Sequence, residues 1–244
     1  MMGPQGDTDR LSQITTRWSL IFQANDVGRT AVQAAQQALV ERYGGAIYRY
    51  VLSVVRQPDI CDDLCQEFAV RLVRGDFSKA NPEKGCFRDF LKTCLFHLVA
   101  DHYRKRSNRP SKGLEELPEP AAPEASTAEF DRQWREEVLE KVWELLQGWE
   151  QNTGQLFYTV LRTRAEAPEL RSPALAQTLS AKLGKPLTAD GVRQTLHRAR
   201  LKFAELLREE VGRTLHTTDA AAIEEELRDL GLWAYCQPGT SGTT

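Results

Sequence analysis

No apolar run in the 244-residue chain approaches the roughly 20 residues that a membrane-spanning helix needs. The N-terminal stretch shows no secretory-signal pattern either, so a cytoplasmic protein without membrane insertion is expected. Cysteine is scarce and odd in number: Cys61, Cys65, Cys86, Cys94 and Cys236. Such a set argues against a closed disulfide framework and for reduced thiols. Cys61 and Cys65 sit four apart, with Cys86, Cys94 and His97 following, but this spacing matches no compact zinc-finger pattern. No metal and no cofactor are therefore expected. No glycine-rich phosphate loop or partner histidine accompanies the acidic trio Asp62, Asp63 and Glu67, which argues against an enzyme. Asp101 and His102 are adjacent on a predicted helix, where neighbouring side chains diverge and form no relay. β-Alternation and internal repeats are absent too. What remains is an all-α chain.

Charge is where the sequence becomes specific. The chain is 27% charged and 41% hydrophobic with a formal net charge of −2, the composition of a globular protein. The near-neutral total hides two cationic blocks. Residues 171–208 carry eight Lys and Arg against Asp190 and Glu205, an excess of six. Residues 87–112 carry seven against Asp89 and Asp101, an excess of five. Between them, residues 113–131 hold six acids and no base. Two basic modules joined by an acidic strap imply weak DNA binding alone and a partner that presents both modules together.

Residues 172–210 read as a helix-turn-helix. Leu175, Leu179 and Leu183 recur four apart, Gly184 and Pro186 break the helix, and Thr188 caps the next one with Asp190 in its first turn. Val192, Leu196, Ala199, Phe203 and Leu206 then form an apolar stripe, with Arg193, His197, Arg198, Arg200 and Lys202 largely off it. That geometry lays the second helix in a DNA major groove. A helical hairpin with a solvated basic face is the alternative, and the local charge excess favours DNA, because phosphate neutralisation supplies most non-specific affinity.

Upstream, residues 1–9 read as disordered and residues 15–25 as a short helix burying Trp18, Ile21 and Phe22. Residues 31–55 read as helical with a break at Gly44–Gly45. Residues 59–72 form the next helix, with Ile60, Leu64, Phe68 and Leu72 four apart, and residues 75–85 a polar loop. A long helix spans residues 87–106. Residues 107–128, with Pro110, Pro118, Pro120 and Pro123 among Glu, Ala and Ser, read as an extended linker. Helices resume at residues 130–146, with Trp134, Val138, Val142 and Leu145 on one face, and at about residues 153–164. Beyond the helix-turn-helix, residues 220–230 form an acidic helix. That helix either folds back over the basic module or merely completes its bundle.

Three segments together resemble the bacterial RNA polymerase sigma factors, specifically the compact extracytoplasmic-function group. Asp62-Asp63-Leu64-Cys65-Gln66-Glu67-Phe68 is similar to that family's acidic DDLxQEvF segment. Phe87-Arg88-Asp89-Phe90-Leu91, with residues 100–105, resembles its FRxWL…xxDxxRR helix, and residues 192–200 resemble its VKSRLHRAR recognition helix. The resemblance covers residues 31–211. It departs at Phe90, where Trp is usual, at His97, where Asn is common, and at Thr195, where Arg is usual.

The resemblance implies an N-terminal extension (1–27), a sigma domain 2-like bundle (28–107), an acidic proline-rich linker (108–130), a sigma domain 4-like helix-turn-helix domain (131–212) and a C-terminal extension (213–244). It implies core RNA polymerase and promoter DNA as partners and leaves room for an anti-sigma factor or other regulator. Asp62, Asp63, Gln66 and Glu67 would dock on the polymerase. Phe77, Lys79, Asn81, Arg88, Lys92, His97, Arg104 and Lys105 would contact the minus-ten element, and Arg193, Gln194, His197, Arg198 and Arg200 the minus-thirty-five element. The rival reading is a free-standing helix-turn-helix regulator, which would be expected to dimerise on paired half-sites.

Overall fold

The computed structural model describes residues 31–74, 87–107, 123–215 and 217–237. The expected N-terminal helix and the 75–85 loop lie outside them. The regular elements among the described residues are all helical: α1 (Ala31–Val55), α2 (Pro58–Arg74), α3 (Phe87–Ser107), α4 (Pro123–Thr153), α5 (Phe157–Glu166), α6 (Ser172–Leu183), α7 (Ala189–Leu215), α8 (Ala220–Asp229) and a closing 3-10 turn (Trp233–Cys236). None of these helices is long and apolar enough to cross a membrane. The chain divides into two compact units, residues 1–137 and 138–244, and the division falls within α4.

In the first unit, α1, α2 and α3 contribute Tyr43, Ile47, Tyr50, Val51, Leu64, Phe68, Leu91, Leu95 and Leu98 to one core. The four-residue repeats in α2 and α3 place these side chains on single faces, as amphipathic helices require. The expected interruption near Gly44–Gly45 is present one residue earlier: Tyr43 leaves the helical region (φ −108°, ψ 16°), and α1 is two helices joined at a kink there. Gly45 lies close under the Glu137 carboxylate: a Cβ there would stand 2.6 Å from its Oε2, so the carboxylate would have to move. α1 ends at Arg56, whose left-handed φ of 55° turns the chain into α2.

The acidic strap departs from the extended conformation expected through residue 128: helix α4 already begins at Pro123. Proline is tolerated in the first turn of a helix, where its missing N–H is not needed, and the Glu and Ala that follow are good helix formers. Within the first unit α4 supplies two anchors. Phe130 and Trp134 are fully buried, Trp134 stacked on Tyr43 at a ring separation of 4.3 Å and Phe130 edge-on to Tyr50 at 5.3 Å. Burying each aromatic stabilises the unit by about 1.5–3 kcal/mol. Arg49 reinforces the join, donating from Nε to Gln133 Oε1 at 3.0 Å and pairing with the buried Glu137.

In the second unit, Val160, Leu175, Ala176, Leu179, Val192 and Leu196 form the core of α5, α6 and α7. α4 adds Trp143 against Phe203, at a ring separation of 5.0 Å, and Trp149 stacked on Phe157 at 4.5 Å. Leu146 rather than Leu145 completes its buried stripe. The C-terminal extension packs against the second half of α7. Leu227, Leu230, Leu232 and Cys236 are buried, Arg208 donates to the Cys236 carbonyl at 2.9 Å, and the guanidiniums of Arg208 and Arg228 both lie over the Trp233 ring. The tail is thus packed on the helix that carries the basic face.

Candidate functional site

The segment α6–turn–α7 is built by local capping. α6 ends at Gly184, whose left-handed φ of 64° lets the chain reverse without a Cβ clash. Ser180 Oγ donates to the Ala176 carbonyl at 2.6 Å and accepts the Leu187 N–H at 2.8 Å, which ties the turn back to α6. Thr188 Oγ1 accepts the Gly191 N–H at 3.1 Å and starts α7, with Asp190 in its first turn. Val192, Leu196, Ala199 and Phe203 are buried, so the helix has one orientation.

Arg193, Gln194, His197, Arg198 and Arg200 are all exposed on the outward side of α7. Arg193 forms an i,i+3 pair with Asp190, both side chains largely in solvent, so the contact holds it weakly. Lys202 is differently employed: it is 2.9 Å from Glu205 and lies over Trp149. Leu201 stands among these polar side chains at 48% exposure, a position that the basic pattern gave no reason to notice.

On α2, Asp63 and Gln66 are exposed, Asp62 is half-buried, and Glu67 is half-buried and paired with Arg71 one turn on. These four lie opposite the buried Leu64, Phe68 and Leu72. Cys61 and Cys65 belong to the buried side. The Cys61 side-chain hydrogen bond, together with burial, raises the Cys65 pKa well above the usual thiol range, and burial pushes Cys94 up to about 12. Such thiols are poor nucleophiles and poor ligands. Among the described residues no group of three or more His, Cys, Asp or Glu could hold a metal.

The eight minus-ten candidates separate into three groups. Phe77, Lys79 and Asn81 lie outside the described residues. His97 is exposed midway along α3, and Arg104 and Lys105 are exposed near its far end, Arg104 pairing with Asp101. Arg88 and Lys92 are engaged with α4 in this structure. They continue the buried stripe of Leu95 and Val99 along α3, so they point at α4 instead of at solvent. Arg88 is only 5% exposed and pairs with Asp131, and Lys92 Nζ lies 3.3 Å from the same carboxylate. Asp131, at the end of the strap, is thus the shared partner of both cations. The buried repeat of Phe130 and Trp134 beside it was the available signal.

Residues 39–109 match the family model Sigma-70 region 2. The matched segment contains the acidic face of α2 and all of α3, and ends before α4 begins. It supports a sigma factor family, one without enzymes, and a region of this kind implies a sigma-factor role in promoter recognition by RNA polymerase. No curated protein and no solved structure matches the chain.

Proposed function

We propose that the chain is a sigma factor of the compact extracytoplasmic-function kind, acting in the cytoplasm, that brings core RNA polymerase to promoters and helps to open them. The observation that carries this reading is the region-2 match on residues 39–109, followed in the same chain by a helix-turn-helix with an outward cationic face. Asp62, Asp63, Gln66 and Glu67 dock the polymerase. His97, Arg104 and Lys105 meet the minus-ten DNA, and the segment containing Phe77, Lys79 and Asn81 takes a base flipped from its non-template strand. Extruding that base costs a few kcal/mol, which pocket and backbone contacts must offset. Arg193, Gln194, His197 and Arg198 read base edges of the minus-thirty-five element, where Arg suits guanine and Gln suits adenine. Arg200 holds phosphate.

The test is reconstitution with purified core polymerase on a genomic promoter library. Specific initiation with the chain present supports the proposal. Asp63→Lys with Glu67→Lys should weaken core binding while leaving the fold intact, since exposed charges contribute little to stability. The rival, a free-standing regulator, rests on the helix-turn-helix lying outside the matched segment. It expects a dimer on DNA, indifferent to polymerase and to both α2 substitutions.

A further inference from the structure

Arg88 and Lys92 stand one turn apart on α3 and converge on one carboxylate, that of Asp131 on α4. Lys92 reaches both of its oxygens, at 3.3 and 3.4 Å. A guanidinium and an ammonium converging on the oxygens of one anion is also how proteins hold a phosphate. The carboxylate is not deeply enclosed, its side chain keeping 31% of its exposure, whereas the Arg88 side chain keeps 6%. Asp131 sits between two residues of different character. Phe130 beside it is locked in the core, and Arg132 next to it is turned outward toward Glu129 and Glu136. The carboxylate is therefore held over the two cations by an anchored helix.

We propose that Asp131 is an internal stand-in for a nucleic-acid phosphate. It occupies the oxyanion seat made by Arg88 and Lys92 and lowers the affinity of the first unit for DNA until that seat is vacated. This rests on the promoter-binding reading above and adds to it a built-in competitor. The apparent affinity of a site open only part of the time falls by the fraction of time it is open. Asp89 remains close to Lys92, at 3.1 Å, so this lysine keeps a local partner when Asp131 is lost.

The experiment titrates the full chain with labelled oligo-dT at several salt concentrations. Asp131→Asn keeps the shape and removes the charge. It should bind about 3- to 10-fold tighter with a salt slope steeper by about 1, as expected when one or two cations become available to phosphate. Asp131→Glu retains the carboxylate and should behave as wild type, which separates charge from any effect of packing. Glu136→Gln removes an exposed acid from the same helix and should change little. The gain from Asp131→Asn should vanish when Arg88→Gln and Lys92→Gln are added. No gain, an equal gain from Glu136→Gln or from Asp131→Glu, or a gain that survives the loss of both cations would each overturn the proposal. Arg104→Glu with Lys105→Glu reports on the underlying reading. If this pair leaves binding unchanged, the promoter-binding assignment of the first unit falls, whatever Asp131 does. If the pair weakens binding while Asp131→Asn has no effect, only the stand-in falls.

Discussion

Helices α3 and α7 carry similar cationic runs, yet they spend them differently. On α7, Arg198 and Arg200 form no ion pair with any described residue, and Arg193 has only a solvated neighbour from its own helix. On α3, the two cations of the first turns are drawn inward to a carboxylate 39 and 43 residues away in the chain, and the remaining cations lie at the other end. The cause is register. Arg193, His197 and Arg200 avoid the stripe of Val192, Leu196 and Ala199, whereas Arg88 and Lys92 fall on the stripe of Leu95 and Val99. A count of basic residues treats the two helices alike, and their positions on the helix separate them.

The largest expected effect comes from removing what holds α4 over α3. Trp134→Ala should destabilise the first unit by about 3–5 kcal/mol, the usual range for a buried Trp, read as a lower denaturant midpoint. Val192, Leu196 and the rest of the second core should be unaffected, so amide protection there should persist. Next comes Arg88→Ala, which removes the buried partner of Asp131 and leaves it only Lys92. Its cost should be about 2–4 kcal/mol, somewhat below the range for a fully buried pair because Asp131 is partly solvated. Arg200→Ala on α7 should stay within about 0.5 kcal/mol of wild type in stability. Equal costs for the two arginines would erase the distinction between the helices.

Much of α7 could be read directly from the sequence. Its stripe, Gly184, Thr188 and Asp190 are local signals, each determined by residues within a turn or two, and the structure places all of them as expected. The all-helical class and the amphipathic faces of α2 and α3 were legible for the same reason. The Arg88–Asp131 pair was not, because nothing in a sequence spacing of 43 indicates that two side chains meet. The start of α4 was misread because proline, glutamate and alanine suit a linker by composition and a helix N-terminus by position. The tail offered two readings that charge could not separate. Leu227, Leu232 and Cys236 pack on α7, a placement that both readings accommodate.

Smaller effects sharpen the comparison on the DNA side. Arg193→Ala should cost about 1–3 kcal/mol at one base pair of the upstream element if its contact is bidentate to guanine, measured by competition among promoter variants. Arg200→Ala should weaken all variants alike. A uniform loss for Arg193→Ala would remove its assignment as a base reader.

The smallest effect lies on the exposed surface of α4. The Arg132 hydrogen bond, followed by that of Gln133, holds the Glu129 carboxyl below the usual range. A lowered folded-state pKa contributes stability above the unfolded value and loses it as pH falls through the folded value. Glu129→Gln should therefore cost at most about 0.5 kcal/mol at neutral pH, and the difference from wild type should close in acid. Melting curves from pH 7 down to the carboxylate range follow it.

The central claim, that this chain directs polymerase to promoters, is tested most directly by transcription with purified core RNA polymerase, with and without the chain, on a promoter-library template. The account expects discrete start sites that appear only with the chain. They should weaken with Asp63→Lys plus Glu67→Lys through loss of core binding, and with Arg193→Ala through loss at particular upstream sequences. A chain that binds promoter DNA by itself, fails to associate with core polymerase and produces no start site would contradict it.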